Sequence, residues 1–153
     1  MTANRFRFRA WWRSERRMVH SIHGVNEFLF NGDGFRGVDY RAGVGRKFLQ
    51  PMWLDIIQST GLLDKSGKEI FEGDILRRPA RTAYEDTTYN SWEVFYHDND
   101  ATPTDCGLVF GRLTPHGNSA GGATPYRLRP SDMAQLEIIG NIYENPELLS
   151  EAK

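Results

Sequence analysis

Hydrophobic and polar residues alternate strictly along the segment Arg5–Ala10, near the start of the chain. Successive side chains of a strand point to opposite faces. Phe6, Phe8 and Ala10 therefore share one face, and the three arginines share the other. This period of two predicts a strand with one buried and one solvated face. A charged turn follows, and Met18–Ile22 is predicted to be the return strand.

Short apolar runs between turn signals predict further strands. They are Glu69–Arg78, Trp92–His97, Cys106–Leu113 and Leu136–Ile142. The tripeptide at residues 145–147, Asn-Pro-Glu, combines a capping residue, a first-turn proline and an early acidic residue, which predicts a short helical turn through Leu148–Glu151. Several short strands with Gly- and Pro-rich connections favour a mainly β barrel or sandwich. The side chains expected in its core are Phe6, Phe8, Ile75, Val94, Val109, Ile139 and Ile142.

Other stretches leave alternatives open. Residues 31–46 contain five glycines and are predicted to be a loop or an irregular hairpin. Phe48–Ile57 is largely apolar but contains Pro51, and it fits either an extended segment or a short helix after the proline. Residues 80–90 are polar and lack periodicity, which fits a loop or a ragged hairpin, whereas the small and polar residues 114–125 predict an exposed loop.

The length of 153 residues is that of one domain, large enough to bury roughly 70% of the surface that the unfolded chain exposes. No apolar stretch approaches the roughly 18 residues of a membrane span, and we expect no membrane association. The first residues are too charged for a secretory signal. The single cysteine, Cys106, cannot form a disulfide within the chain, which fits a reducing cytoplasm.

Positive charge is concentrated at the start of the chain. Six of the first twenty residues are arginine and one is glutamate, whereas the net charge of the whole chain is −1. Such a basic edge can bind an acidic partner, or it can pair with the protein's own carboxylates. The near-neutral total favours the second interpretation, because nucleic-acid-binding modules are usually basic overall.

No pattern in the sequence indicates a catalytic group, a cofactor or a metal site. The histidines and the single cysteine lack the spacing of a zinc motif. Asp64 and Asp74 are placed to accept hydrogen bonds from the backbone of their own turns. The alternative is an acid–base role for Asp74, or for Glu69 with Glu72. The structural role is favoured, because no histidine or cysteine lies nearby in the sequence to complete a site.

Three blocks of the sequence carry a family resemblance. The first is TGLLDKSGKEIFEGDIL, at residues 60–76; the second is IIGNIYENPELL, at residues 138–149; the third is the opening Phe-Arg-Ala-Trp at residues 8–11. Together they resemble the YopX family of bacteriophage and prophage proteins. Residues 80–135 and the glycine-rich stretch carry no family pattern that can be placed.

The resemblance implies a small all-β protein with an SH3-like barrel core and no established catalytic residues. To this core the sequence adds N-terminal strands, irregular loops and the short C-terminal helical turn. We expect one domain over residues 1–153, with an N-terminal subregion at 1–58 and the barrel at 59–149. A phage or prophage origin implies action in the cytoplasm of a bacterial host.

The sequence therefore favours a non-catalytic binding module for a protein partner of host or phage, with a homo-oligomer as a further arrangement. The alternative is a small β-barrel that binds nucleic acid through its arginine-rich first strand. An outward tryptophan beside arginines would be a recognition feature. The candidate binding surface is Arg7, Arg9, Trp12 and Arg13.

Overall fold

A computed structural model of the chain describes residues 7–20, 26–42, 45–78, 91–96, 109–113 and 126–149. The chain divides into two compact units at the boundary between Ser59 and Thr60. We call the described residues before this boundary the N-terminal unit and those after it the C-terminal unit.

The N-terminal unit is built from strands that form two antiparallel groups. Its strands are β1 (Phe8–Trp12), β2 (Arg17–His20), β3 (Asn26–Asn31), β4 (Gly34–Ala42), β5 (Gly45–Leu49) and the first half of β6 (Leu54–Leu63). β1 lies between β2 and β6, whereas β4 lies between β3 and β5. A 3₁₀ helix at Pro51–Trp53 leads from β5 into β6.

The core of the N-terminal unit takes side chains from both strand groups. Ala10 and Trp12 of β1 lie on its inner face because they are two residues apart on one strand. The Trp12 ring meets the Tyr40 ring edge-on at a centroid distance of 5.7 Å. The buried members of this core are Ala10, Trp12, Val19, Val38, Leu49 and Leu54.

The C-terminal unit contains a five-stranded sheet. The strands of this unit are β7 (Glu69–Phe71), which lies outside that sheet, and the five sheet strands β8 (Asp74–Arg77), β9 (Ser91–Tyr96), β10 (Val109–Leu113), β11 (Tyr126–Arg127) and β12 (Glu137–Asn141). The sheet order is β11-β10-β9-β8-β12, with antiparallel neighbours throughout, and β7 pairs with β6 instead. Its buried core consists of Ile70, Leu76, Val94, Leu128, Met133 and Leu136. Further 3₁₀ helices lie at Met133–Gln135 and Pro146–Leu149.

The prediction of a mainly β protein is confirmed, since strands dominate the described residues and none of these residues is in an α-helix. Strands occur in each predicted segment, and the predicted helical turn near the C-terminus is the 3₁₀ helix at Pro146–Leu149. The SH3-like form of the barrel and the single-domain organisation stay predictions. Within the described ranges, no helix combines the length and apolar character needed to cross a membrane.

For residues 31–46, predicted to be either a loop or an irregular hairpin, the structure shows the second alternative. This stretch contributes β4 and the start of β5, and so takes the hairpin alternative, with a register shift in the β3–β4 pairing between Leu29 and Phe30. The glycines did not prevent pairing, because β4 forms backbone ladders with β3 on one side and with β5 on the other. Both alternatives for Phe48–Ile57 occur in part, since the 3₁₀ helix at Pro51–Trp53 is followed by an extended strand.

The predicted core is confirmed at Ile75 and Val94, which are 0% and 1% exposed. Phe8, Ile139 and Ile142 are partly buried and so contribute less completely to the core than Ile75 and Val94. Other predictions lie outside the described residues. These are Arg5, Phe6, His97, Cys106, the loops at 80–90 and 114–125, the ends of Met18–Ile22 and Leu148–Glu151, and the side chain of Val109.

Candidate functional site

The residues of the two long signature blocks meet in the C-terminal unit around the Asp64 carboxylate. Its Oδ1 accepts hydrogen bonds from the Ser66 backbone N–H (2.8 Å), the Ser66 hydroxyl (2.6 Å) and the Lys68 backbone N–H (2.9 Å). Its Oδ2 accepts one from the Ile138 backbone N–H at 3.2 Å. Burial by itself raises the pKa of Asp64, but these hydrogen bonds outweigh it and hold the pKa below 3.8.

Lys65 and Glu137 add a second connection between the same blocks. The Lys65 backbone N–H donates to the Leu136 carbonyl oxygen at 2.8 Å. The Lys65 ammonium pairs with the Glu137 carboxylate, and Arg77 lies 3.7 Å from the other carboxylate oxygen. The hydrogen bond from Lys65 is the main reason that the pKa of Glu137 is lowered. The first turn of one block is therefore held to the strand of the other.

A third connection is made at the corner between β7 and β8. The Ile142 backbone N–H donates to the Gly73 carbonyl oxygen at 2.9 Å, and the Gly73 backbone N–H donates to the Val94 carbonyl oxygen at 2.8 Å. The Asp74 carboxylate accepts a hydrogen bond from the Phe71 N–H at 2.8 Å. The predicted role of Asp64 and Asp74 in their own turns is confirmed, and these signature residues are explained by folding.

The surroundings of Asp74 disfavour an acid–base role for this residue. Asp74 is 1% exposed and is engaged by Phe71. Burial raises the pKa of Glu72, against a hydrogen bond from the Tyr96 backbone that lowers it. Across the described ranges, no three His, Cys, Asp or Glu side chains are grouped so that they could hold a metal ion.

The four residues predicted to form a binding surface do not share one exposed face. Arg7 and Arg13 are exposed, whereas Arg9 is 6% and Trp12 is 5% exposed. The expectation that the arginine side of β1 is solvated is therefore wrong at Arg9. Trp12 lies on the opposite side of β1 from the arginines, because it is an odd number of residues from each of them. Binding by the exposed pair stays a prediction.

Arg13 is held by its own chain. Its guanidinium forms a two-pronged pair with the Asp55 carboxylate, with Nη2–Oδ1 at 2.7 Å and Nε–Oδ1 at 3.0 Å. It also donates to the carbonyl oxygens of Met52 (2.9 Å) and Leu54 (3.3 Å). This side chain joins the β1–β2 turn to the segment that enters β6, and much of its hydrogen-bonding capacity is used there.

Trp12 is enclosed by aromatic and basic side chains. The Lys47 ammonium lies 4.6 Å and the Arg17 guanidinium carbon 5.5 Å from its ring centroid. Arg17 also lies 4.9 Å from the Tyr40 centroid. Cations placed near ring faces in this way are attracted by the negative face of the ring. These contacts cover Trp12 and leave little of it for a ligand to stack upon.

The structure instead exposes apolar side chains that sequence reasoning missed. In the described part of the chain, the exposed large hydrophobic residues all belong to the N-terminal unit: Leu29, Phe30, Phe48, Met52 and Trp53. For Phe48, the sequence pattern contained one indication that the side chain is exposed. Once Leu49 is placed in the core, strand alternation directs Phe48 to the other side of β5.

Two of these side chains flank a glycine on the outer side of β3, β4 and β5. Leu29 pairs with Gly37, and Phe48 pairs with Asp39. A Cβ on Gly37 would collide with the Leu49 carbonyl oxygen and would lie 2.7 Å from Cζ of Phe48, so only glycine lets the ring lie there. We call Leu29, Gly37, Asp39, Arg46 and Phe48 the outer face.

An ion pair borders the apolar part of the outer face. The Arg46 guanidinium holds the Asp39 carboxylate, with Nε–Oδ1 at 2.8 Å. The hydrogen bond from Arg46 is the main reason that the pKa of Asp39 is lowered, against a smaller effect of burial. Leu29 and Phe48 are 39% and 47% exposed. An exposed apolar surface with a polar rim is typical of protein-interaction sites.

Comparison with protein families decides where the chain belongs. A family model described as YopX protein matches residues 7–150. The chain belongs to the YopX family. The match includes the whole outer face as well as both long signature blocks, so these features lie within the family's region of the chain. A search of curated proteins gives no match.

Two solved structures are similar to this YopX-family chain over almost its whole length. Protein EF1440 from Enterococcus faecalis is 26% identical, with a TM-score of 0.60; the match covers 94% of this chain and 96% of that chain. Protein yopX from Bacillus subtilis is 16% identical, with a TM-score of 0.59; the match covers 98% of this chain and 100% of that chain. The second likeness shows the fold alone.

Proposed function

We propose that this protein is a non-catalytic binding module for a protein partner, encoded by a phage or prophage as an accessory protein. The observation that carries the proposal is the exposure of Leu29 and Phe48 on either side of Gly37, beside the Asp39–Arg46 pair. Covering apolar side chains that are exposed to water at a sheet surface lowers the free energy, which favours binding of a partner there.

The signature blocks support the same proposal. The polar groups of Asp64, Asp74 and Glu137 are occupied by hydrogen bonds and ion pairs within the C-terminal unit. Groups used in this way maintain the fold and are poorly placed to act on a substrate. The binding role then belongs to surfaces outside the signature, of which the outer face combines apolar exposure with nearby charge.

Nucleic acid is the second candidate, since the sequence from residue 4 to residue 59 has ten basic and five acidic side chains. Two observations favour a protein instead. Nucleic-acid-binding barrels stack bases on exposed aromatic rings beside basic groups; the ring on the arginine-rich first strand, Trp12, is buried beneath Lys47 and Arg17, although Phe30, Phe48 and Trp53 are exposed in the same unit. Arg13 and Arg46 already hold carboxylates.

The test is capture of partners from a nuclease-treated bacterial lysate by the immobilised full chain. Phe48→Ser should abolish capture of a specific protein, because the ring provides much of the apolar area of the outer face. Met52→Ser is the matched control: Met52 is even more exposed, at 68%, but lies in the 3₁₀ helix at Pro51–Trp53. Capture that survives Phe48→Ser, or that nuclease removes, would contradict the proposal.

A further inference from the structure

The strand β5 lies at one edge of its sheet. The sheet order is β3-β4-β5, so β5 has a hydrogen-bonded neighbour on one side only within the described residues. Gly45, Arg46, Lys47 and Phe48 are exposed, and only Leu49 is buried. An edge strand of this kind is a template on which another extended segment can add.

The opposite edge of the same sheet is less suited to strand addition. In the β3–β4 pairing the register shifts between Leu29 and Phe30, because Arg36 is an extra residue on β4. A bulge of this kind increases the local twist of the strand pair, which makes the β3 edge less regular. The β4–β5 pairing runs in continuous register from Val38–Leu49 to Ala42–Gly45. β5 therefore presents the straighter edge.

The charges on and around β5 define the chemistry of the segment that would add. Arg46 and Lys47 are neighbours on this strand, so their side chains lie on opposite faces. Residues 4–59 carry a net charge of +5, from ten basic and five acidic side chains. Cross-strand pairs of opposite charge stabilise a sheet, and like charges destabilise it. Arg46 already holds Asp39, so Lys47 is the charge that remains for an incoming strand, and a carboxylate opposite Lys47 is therefore favoured.

The same argument disfavours a second copy of β5 as the incoming strand. Pairing of two such strands would place the Arg46 and Lys47 side chains of one copy near those of the other. Basic residues on an edge are a common device against self-association. Phe48 adds a requirement of its own, since it lies on the outer face and favours an apolar or β-branched residue across from it.

We propose that an extended acidic segment of a partner protein, with apolar residues alternating with carboxylates, adds to β5 as a fourth strand. This inference rests on the proposed function and specifies how the partner is held. Backbone hydrogen bonds along β5 supply affinity, and the succession of basic Lys47 and apolar Phe48 supplies selectivity for charge and register.

The experiment uses the full chain and three synthetic capped peptides of about eight residues, a strand length. The first alternates glutamate and valine. In the second, lysine replaces each glutamate, and in the third, proline replaces a central valine. Backbone amide signals of the protein are followed by NMR during titration. The expected result is that the glutamate peptide shifts the amides of residues 45–49 and slows their hydrogen exchange, while the other two peptides do neither.

Charge reversal of a single side chain gives the matched comparison. Lys47→Glu should weaken binding of the glutamate peptide roughly fivefold, the size expected for one exposed ion pair. Lys68→Glu, an exposed lysine of the C-terminal unit, should leave it unchanged. Lys47→Gln is a milder second variant in case the reversal disturbs Trp12, and the dispersion of the amide signals reports whether each variant is folded.

Several outcomes would overturn strand addition. One is binding of the proline peptide as tightly as its parent, with shifts at Leu29 and Phe48 but not along β5; this would leave the proposed protein-binding function in place. Absence of binding by the glutamate peptide would overturn the inference, while Phe48-dependent capture would still support the function. Displacement of the peptide by oligothymidylate would favour nucleic acid, and concentration-dependent shifts along β5 without peptide would favour a second copy.

Discussion

The Ile138 backbone N–H donates a hydrogen bond to the Asp64 carboxylate across 74 residues of sequence, at 3.2 Å. The other oxygen of that carboxylate organises the turn at residues 64–68. One buried side chain therefore forms a local turn and attaches it to β12. This relationship explains in physical terms why the two signature blocks occur together.

Asp64→Asn should lower the free energy of unfolding by about 1–3 kcal/mol, because an amide has one acceptor oxygen where the carboxylate uses two. The difference in the free energy of unfolding between Asp64→Asn and the original protein should shrink as the pH falls below 3.8. The pKa of Asp64 is lower in the folded protein than in the unfolded chain. Such a carboxyl group stabilises the fold at pH values above its unfolded pKa, and this stabilisation is lost as the pH falls through its folded pKa. Urea unfolding at several pH values measures this. Glu15→Gln, an exposed carboxylate in the β1–β2 turn, is the control, and an equal loss there would contradict the prediction.

Glu72→Gln should stabilise the protein at neutral pH. Burial raises the pKa of Glu72 above 4.5, so the charged form is disfavoured in the folded state. The stability that this group contributes is present below the unfolded pKa and is lost as the pH rises through the folded pKa. The gain from the substitution should therefore disappear in acid. Thermal unfolding at pH 4 and pH 7 measures it, and an equal gain at both would show that charge is not the cause.

Gly73→Ala should destabilise the protein more than Gly67→Ala. Both glycines have positive φ, at +78° and +83°, so each substitution should cost about 1–2 kcal/mol from backbone strain alone. A Cβ at Gly67 meets no atom within 4 Å, whereas one at Gly73 would lie 3.2 Å from side-chain atoms of Ile142 and Tyr143. Denaturant midpoints of the two variants compare them directly. Equal losses would mean that the two neighbouring side chains move aside without cost.

Arg13→Ala should destabilise the N-terminal unit more than Asp55→Ala, although the two residues form one ion pair. The guanidinium also donates to the carbonyl oxygens of Met52 and Leu54, and these bonds are lost only when Arg13 is removed. The coupling energy from a double-mutant cycle should be below about 1 kcal/mol, because both side chains are substantially exposed. A larger loss for Asp55→Ala would contradict the stated role of the carbonyl contacts.

Local patterns in the sequence were sufficient for most of the strands. Alternation identified β1, and turn chemistry at Asp64 and Asp74 located the corners around β7 and β8, because a period of two and a side-chain-to-backbone turn are properties of a few neighbouring residues. The hairpin at residues 34–49 was harder to predict. Its glycines weaken the local strand signal. The pairing of β4 with both of its neighbours, β3 and β5, outweighs that weakness, and this pairing is a property of the folded sheet.

The candidate surface depended more strongly on tertiary structure. Alternation along β1 shows that Arg9 and Trp12 point to opposite sides, but it cannot show that both become buried. In the same way, the composition of Phe48–Ile57 indicates apolar residues without showing that Phe48 is exposed beside Gly37. Burial depends on what packs against a face, and those residues come from distant parts of the chain.

The sequence by itself determined the mainly β character, the turn roles of Asp64 and Asp74, and the family signature, since each depends on residues close to one another or on short blocks of fixed spacing. Tertiary structure alone decided the joining of Asp64 to Ile138, the burial of Arg9 and the exposure of Leu29 and Phe48. Those features require strands to come together in one register, and their free energies arise only after long loops have closed.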